Sequence, residues 1–262
     1  MGLISWRLDR RAADALVIGT SEEFIAYVLA LSPRVAVFDC DGTLWEMNSG
    51  EKFFYLSMPD AASGRKGLVA EDTAHRLRNR YAQYQRGEVG EIAMCGEMVS
   101  MYAGLRIAPV RAAAESFVAS SVLASTFPEM LGLTLQLRQQ GCELWAVSSS
   151  TEWLIEPGIR SFGIPSDHVL ATRLAVRDGI AGSELLSIPS DANKATVIAE
   201  RIPRTVDAAF GNSIHDAAML EIATHAFAVN PTPELEELAV QRGWKIYWPQ
   251  ATRKKQNRRD AG

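Results

Sequence analysis

Four short apolar runs, each stopping abruptly at polar residues, punctuate the chain. Val35-Ala36-Val37-Phe38, Leu144-Trp145-Ala146-Val147, Ala208-Ala209-Phe210 and Ala226-Phe227-Ala228-Val229 are continuous rather than alternating. That pattern predicts strands covered on both faces. Trp244-Lys245-Ile246-Tyr247 closes the series as a further strand. Helical periodicity fills the gaps. Ser21 with Glu23 opens a capped helix that runs through Leu31 to Ser32-Pro33. Met130, Leu133 and Leu137 mark an amphipathic helix after Pro128, stopped by Gly141. Ser190 caps a helix bearing Asn193 and Lys194, and Pro233 initiates another. Asp178-Gly179, between extended segments, signals a hairpin. Alternating strands and helices predict an α/β fold: a doubly wound parallel sheet with helices on both faces.

The stretch from Trp45 to Phe127 breaks this rhythm. It is helical by pattern, with Ile92, Cys95, Met98, Val99 and Tyr102 on one face and Val110, Ala114, Phe117 and Val118 on another. Gly87, Gly104 and Pro109 punctuate it. Met94, Met98 and Met101 read as packing within these helices.

Composition adds mainly exclusions. With 47% hydrophobic and 22% charged residues in 262, the chain is an ordinary packed globule. A net charge of −4 gives no overall signal for nucleic acid. The cations are unevenly placed: Arg253, Lys254, Lys255, Arg258 and Arg259 crowd the end, and the rest carries about −8. Residues 251–262 are expected to form a disordered basic tail. Cys40, Cys95 and Cys142 are odd in number and free of CxxC spacing, as in reduced thiols of a cytoplasmic protein. Arg7, Asp9, Arg10 and Arg11 interrupt the N-terminal stretch where a secretory signal would be apolar. No run reaches the roughly 18 apolar residues of a membrane span, so no membrane role is expected.

The chemistry falls at the strand ends, where ligands of doubly wound sheets bind. Asp39 and Asp41 follow the first strand, Ser148-Ser149-Ser150-Thr151 the second, and Asn212 and Asp216 the third; Lys194 sits at a helix start. Two carboxylates two residues apart repel unless a cation lies between them. Oxygen donors without His or Cys suit a hard cation, most naturally Mg²⁺. Lys194 and Ser148 suit phosphate oxygens. Together these are the parts of a phosphoryl-transfer site.

Asp39-Cys40-Asp41-Gly42-Thr43-Leu44 matches the DxDGT signature of the haloacid dehalogenase-like hydrolases. Ser148, Lys194 and Gly211-Asn212-Ser213-Ile214-His215-Asp216 resemble that family's second, third and fourth motifs, in order, and the resemblance spans Val35 to Tyr247. It implies Asp39 as nucleophile forming an aspartyl-phosphate, and Asp41 as the acid and then the base. It further implies Asp39, the Asp41 carbonyl and Asn212 or Asp216 as Mg²⁺ ligands, with Thr43, Ser148, Ser149 and Lys194 holding phosphate. An acid at Asp41 favours phosphate chemistry over carbon–halogen cleavage. Asn212 departs from the family, which usually places Asp there.

A βαβ link needs only about 30 residues, so the roughly 80 residues of 45–127 read as an insert, similar to the helical caps of phosphoserine phosphatase-like members. Residues 1–44 and 128–250 then form the core. A lid implies a small phosphorylated metabolite as substrate; the chain is expected to be a monomer or homodimer. Trp45, Glu46 and Gly50 to Phe54 resemble the branch with phosphoserine and phosphocholine phosphatases.

Plainer readings stand beside these. The serines from Ser148 can cap a helix, Lys194 can be solvated, and His215 can be structural or line the cleft. His75, His168 and His225 lack partners at ligand spacing. Glu46 and Glu51 can meet a substrate ammonium group or simply face solvent. Three functions fit: a small-molecule phosphatase, another family chemistry such as a phosphomutase or phosphonate hydrolase, and a binding protein without turnover.

Overall fold

The computed structural model describes residues 16–253. The basic cluster beyond Arg253 and the charged start of the chain lie outside the described residues.

The elements in chain order are β1 (Val17–Ile18), α1 (Ser21–Ala30), β2 (Val35–Phe38), α2 (Ser49–Leu56), α3 (Glu71–Gln85), α4 (Glu91–Ser100) and α5 (Ile107–Phe117). They continue with α6 (Pro128–Gln139), β3 (Glu143–Thr151), α7 (Glu152–Ile159), β4 (Val169–Arg177), β5 (Ile180–Ser187) and α8 (Ala192–Arg201). The last are β6 (Ala208–Gly211), α9 (Ala217–Glu221), β7 (His225–Val229), α10 (Pro233–Arg242) and β8 (Lys245–Tyr247). The strands form one sheet in the order β1-β8-β7-β6-β2-β3-β4-β5. Every neighbouring pair is parallel except the β4–β5 hairpin. The hairpin turns through Asp178 and Gly179, both at positive φ.

Side-chain alternation sorts the strands between two cores, one per face. Ala36, Phe38, Ala146 and Phe210 join α1 and α6 residues Phe24, Val28, Leu133 and Leu137. Val35, Val37, Trp145 and Val147 join Ile198, Leu220, Leu235 and Ala239 of α8, α9 and α10. Helices thus cover both faces, as the continuous apolar runs require.

Local differences from the sequence reading have local causes. Thr20, not Ser21, caps α1, because a reciprocal pair with Glu23 at 3.0–3.1 Å satisfies two helix-start amides. Asp191, not Ser190, occupies the cap position of α8, without a side-chain capping bond. β3 runs on through Ser148 to Thr151, past the apolar run. The connection between β2 and β3 holds α2 to α6 but is non-helical between α2 and α3, where Asp60 and Arg65 bridge.

The helical run Ile107–Ser125 has 19 residues and mean hydropathy 1.2, enough by length and composition alone to cross a membrane. Arg111, Glu115 and four serines interrupt it, so it is not a continuous apolar run. In the fold Val110, Ala114, Phe117 and Val122 form a buried stripe, while Arg111 and Glu115 face out to Glu156 and Arg160.

Candidate active site

Register brings the motif residues together. Phe38 pairs with Ala146 on one side and Phe210 on the other, so the carboxyl ends of β2, β3 and β6 lie abreast. The Asp39 amide donates to the Phe210 carbonyl at 2.8 Å, fixing the turn that follows β2. Above these ends lies a cavity of about 340 Å³, with Asp39, Asp41, Ser148, Ser149, Lys194 and Asn212 in its walls.

A buried ion cluster forms the floor. Lys194 is 1% exposed, and its Nζ donates to Asp39 Oδ1 at 2.8 Å, to Asp216 Oδ1 and to the Val147 carbonyl at 3.1 Å. Burial opposes the ammonium charge, but Asp216 and Asp39 outweigh it and hold its pKa above the usual lysine value. For Asp39, burial and the neighbouring Asp216 raise the pKa to about 7, against the pull of Lys194. Two carboxylates around one ammonium leave the floor one negative charge in excess. Lys194 is therefore a buried counter-ion rather than a solvated helix residue.

Asn212 or Asp216 is expected from the sequence as a metal ligand, and both Asp216 oxygens accept hydrogen bonds. Oδ1 accepts from Lys194; Oδ2 accepts from the Asn212 and Ser213 amides, each at 2.9 Å, and from the Ser213 hydroxyl at 3.3 Å. It ties down the loop after β6 and orients Lys194. Gly211 permits this, since a Cβ there would lie 2.6 Å from Asp216 Cβ. Thr43, expected at the phosphate, is wholly buried, and its hydroxyl donates to Asp39 Oδ2 at 3.2 Å. It steadies the carboxylate rather than lining the cavity.

Asp41 accepts five hydrogen bonds: from Trp45 Nε1 at 2.6 Å, the Ser49 amide at 3.0 Å, the Ser49 hydroxyl, the Gly50 amide at 3.2 Å and Ser150 Oγ at 2.9 Å. The first turn of α2 thus grips this carboxylate, as helix N-termini favour anions. Ser150 was not singled out among four consecutive polar residues. Its role shows only once β3 is set beside β2. Ser148 Oγ accepts from the Ser150 amide at 3.2 Å, and Ser149 lines the cavity. His215 also lines it, with Nδ1 2.6 Å from Asp191 Oδ1 and Nε2 3.7 Å from Glu91 Oε2.

Among the described residues no three His, Cys, Asp or Glu side chains converge as a metal-binding group. A cation here would draw on mixed oxygens, and such a set is present. The Asn212 carboxamide packs against the Cα of Gly42, which sits at φ +80°. With Asp39 and the Asp41 carbonyl it makes a hard donor set that suits Mg²⁺. The Thr151 and Thr232 hydroxyls, buried and on the cavity wall, have no hydrogen-bond partner among the described residues.

A parallel sheet with paired carboxylates, a buried lysine and a serine at adjoining strand ends defines a hydrolase core of known type. The family model for haloacid dehalogenase-like hydrolases matches residues 36–221, and the chain belongs to that family. It is 31% identical over 221 residues to a probable phosphatase of Mycobacterium tuberculosis, covering 80% of this chain and 74% of the relative. It is 24% identical over 224 residues to a histidinol-phosphatase of Neisseria meningitidis, covering 81% and 97%. A solved structure from Bordetella pertussis, of a protein with unknown function, superposes with a TM-score of 0.68 at 24% identity. It covers 82% of this chain and 97% of that one, a likeness of fold.

Proposed function

We propose that this hydrolase is a Mg²⁺-dependent phosphatase that cleaves a small phosphomonoester through an aspartyl-phosphate on Asp39. The observation that carries the reading is the cavity floor. There a 6%-exposed carboxylate is held by Lys194 and Thr43, with a second carboxylate, Asp41, in the same wall. Phosphatases among its relatives support the same chemistry.

Asp39, the Asp41 carbonyl and Asn212 would hold the Mg²⁺, which when bound supplies positive charge to the phosphoryl oxygens. The other parts belong to the chain itself. An Asp39 oxygen attacks phosphorus, and the bond to the ester oxygen breaks as the bond to Asp39 forms. Asp41 gives its proton to the departing alcohol, then takes one from the water that hydrolyses the acyl-phosphate and regenerates Asp39. Ser148 offers a donor to the phosphoryl oxygens, and the Lys194 ammonium, bonded to Asp39, supplies positive charge beside them. Since Asp41 only accepts in this arrangement, delivering a proton requires it to release some of its α2 bonds. Residues 45–127 act as a helical cap over the α/β core, so binding of the alcohol portion can be coupled to that release.

Phosphate release from p-nitrophenyl phosphate, with Mg²⁺ and with chelator, tests this reading. Mg²⁺-dependent hydrolysis lost in Asp39→Asn with the fold retained is the expected result. Near-normal hydrolysis by Asp39→Asn would overturn the covalent route. Absence of turnover in the parent would point instead to a binding protein on this fold, and a requirement for a bisphosphate activator to a mutase.

A further inference from the structure

Part of the cavity wall is built from aromatic rings and carboxylates. Phe54 of α2 and Tyr81 and Tyr84 of α3 line it, with ring centroids 5.4 Å apart for Phe54–Tyr81 and 5.5 Å for Tyr81–Tyr84. The Tyr84 hydroxyl donates to Glu91, and both Glu91 and Glu51 line the cavity with these rings. Rings presented with carboxylates at their phenol edges are complementary to an organic cation. The ring faces attract it through their quadrupoles and the carboxylates through charge.

The wall also lacks what an anionic group needs. Among the described residues lining the cavity, Lys194 is the only Lys or Arg, and it is committed to Asp39, Asp216 and Val147. His215 faces Asp191 and Glu91 from its two ring nitrogens. A carboxylate on the alcohol portion would enter a cavity that already holds Asp39, Asp41, Glu51 and Glu91, with no Lys or Arg besides Lys194 among the described lining residues.

Resting on the phosphatase reading, we propose that the substrate is a phosphomonoester whose alcohol carries an organic cation and no carboxylate. The cation seats among Phe54, Tyr81 and Tyr84 against Glu51 and Glu91. The phosphate meets Asp39 beside the Lys194 ammonium. This divides the two substrates suggested by the sequence: phosphocholine-like esters fit and phosphoserine does not.

The decisive comparison is phosphocholine against neohexyl phosphate, in which a tert-butyl group of the same shape replaces trimethylammonium. Phosphoethanolamine against phosphoserine adds only the carboxylate. We expect kcat/KM to favour the first of each pair by about tenfold or more, the scale of a partly desolvated cation–π contact with a nearby carboxylate. Glu51→Gln should shrink the phosphocholine-to-neohexyl ratio, a quantity that loss of folded protein does not move. Equal rates within each pair, with p-nitrophenyl phosphate still hydrolysed, would overturn the cation reading and leave the phosphatase intact. If no ester is hydrolysed, the phosphatase reading fails. Calorimetric binding of phosphocholine against neohexyl phosphate to the full chain then decides the cation site, with equal affinity refuting it.

Discussion

Replacing Lys194 by Met should destabilise the fold more than any surface change. The methionine fills much of the same volume, so the loss isolates the charge. In the parent, Lys194 is 1% exposed and its ammonium lies between Asp39 and Asp216, themselves 6% and 1% exposed. Taking the ammonium away leaves two largely buried carboxylates facing one another. It also leaves the Val147 carbonyl without this donor. Breaking a buried ion pair by removing one partner costs about 3–5 kcal/mol. That is a large share of the roughly 5–15 kcal/mol that holds a typical domain folded. Urea unfolding followed by circular dichroism, in chelator so that bound metal adds nothing, gives the difference directly. The double variant Lys194→Met with Asp216→Asn removes one of the stranded charges and should lose less than the sum of the two single changes. If Lys194→Met came within about 1 kcal/mol of the parent, or the two losses simply added, the buried cluster would not be the electrostatic unit described here.

Asn212→Asp should tighten Mg²⁺ binding, because a carboxylate replaces a neutral amide in the proposed ligand set. One extra unit charge about 4 Å from a cation is worth up to about 4 kcal/mol per cation charge at an effective dielectric of 20, and repulsion from Asp39 and Asp216 takes back part of it. The measurable result is a thermal midpoint that rises more steeply with Mg²⁺ than in the parent; an unchanged Mg²⁺ response would remove Asn212 from the ligand set. Gly42→Ala should impair Mg²⁺ binding as well as stability. Gly42 has φ +80°, and the new Cβ would sit 2.1 Å from Asn212 Nδ2. The backbone strain alone costs about 1–2 kcal/mol, and a Mg²⁺ titration matching the parent's would show that Asn212 does not need its place against Gly42.

What was legible from sequence follows the range of the interactions concerned. Val35–Phe38 and His225–Val229 are buried strands because every residue is apolar or nearly so, a property of the segment alone. Asp39 and Asp41 could be placed at a strand end for the same reason. The edge pairing of Val17–Ile18 with β8 could not be read, since two residues carry no period and their partners lie more than 200 positions away. Caps were missed by one residue where Thr20 and Ser21 offer equivalent hydroxyls and only the approach of Glu23 decides between them.

The same distinction separates the chemistry of the site from its selectivity. Asp216 carries a carboxylate four residues after Asn212, and by residue type alone it is as good a metal ligand. Its geometry sets it apart from Asn212, because the turn folds Oδ2 back onto its own loop's amides and Lys194 arrives from α8 to bond Oδ1. Conversely, Glu51, Tyr81, Tyr84 and Glu91 come from three helices with no shared motif, and they line one cavity only after α2, α3 and α4 have packed. Phosphoryl transfer needs a few groups at fixed spacing from one strand end, so it leaves a signature in the chain. Recognition of the alcohol needs a surface assembled from separate helices. For that reason substitutions at Glu51 and Tyr81 should move the choice of ester, whereas those at Asp39 should stop the reaction for every ester alike.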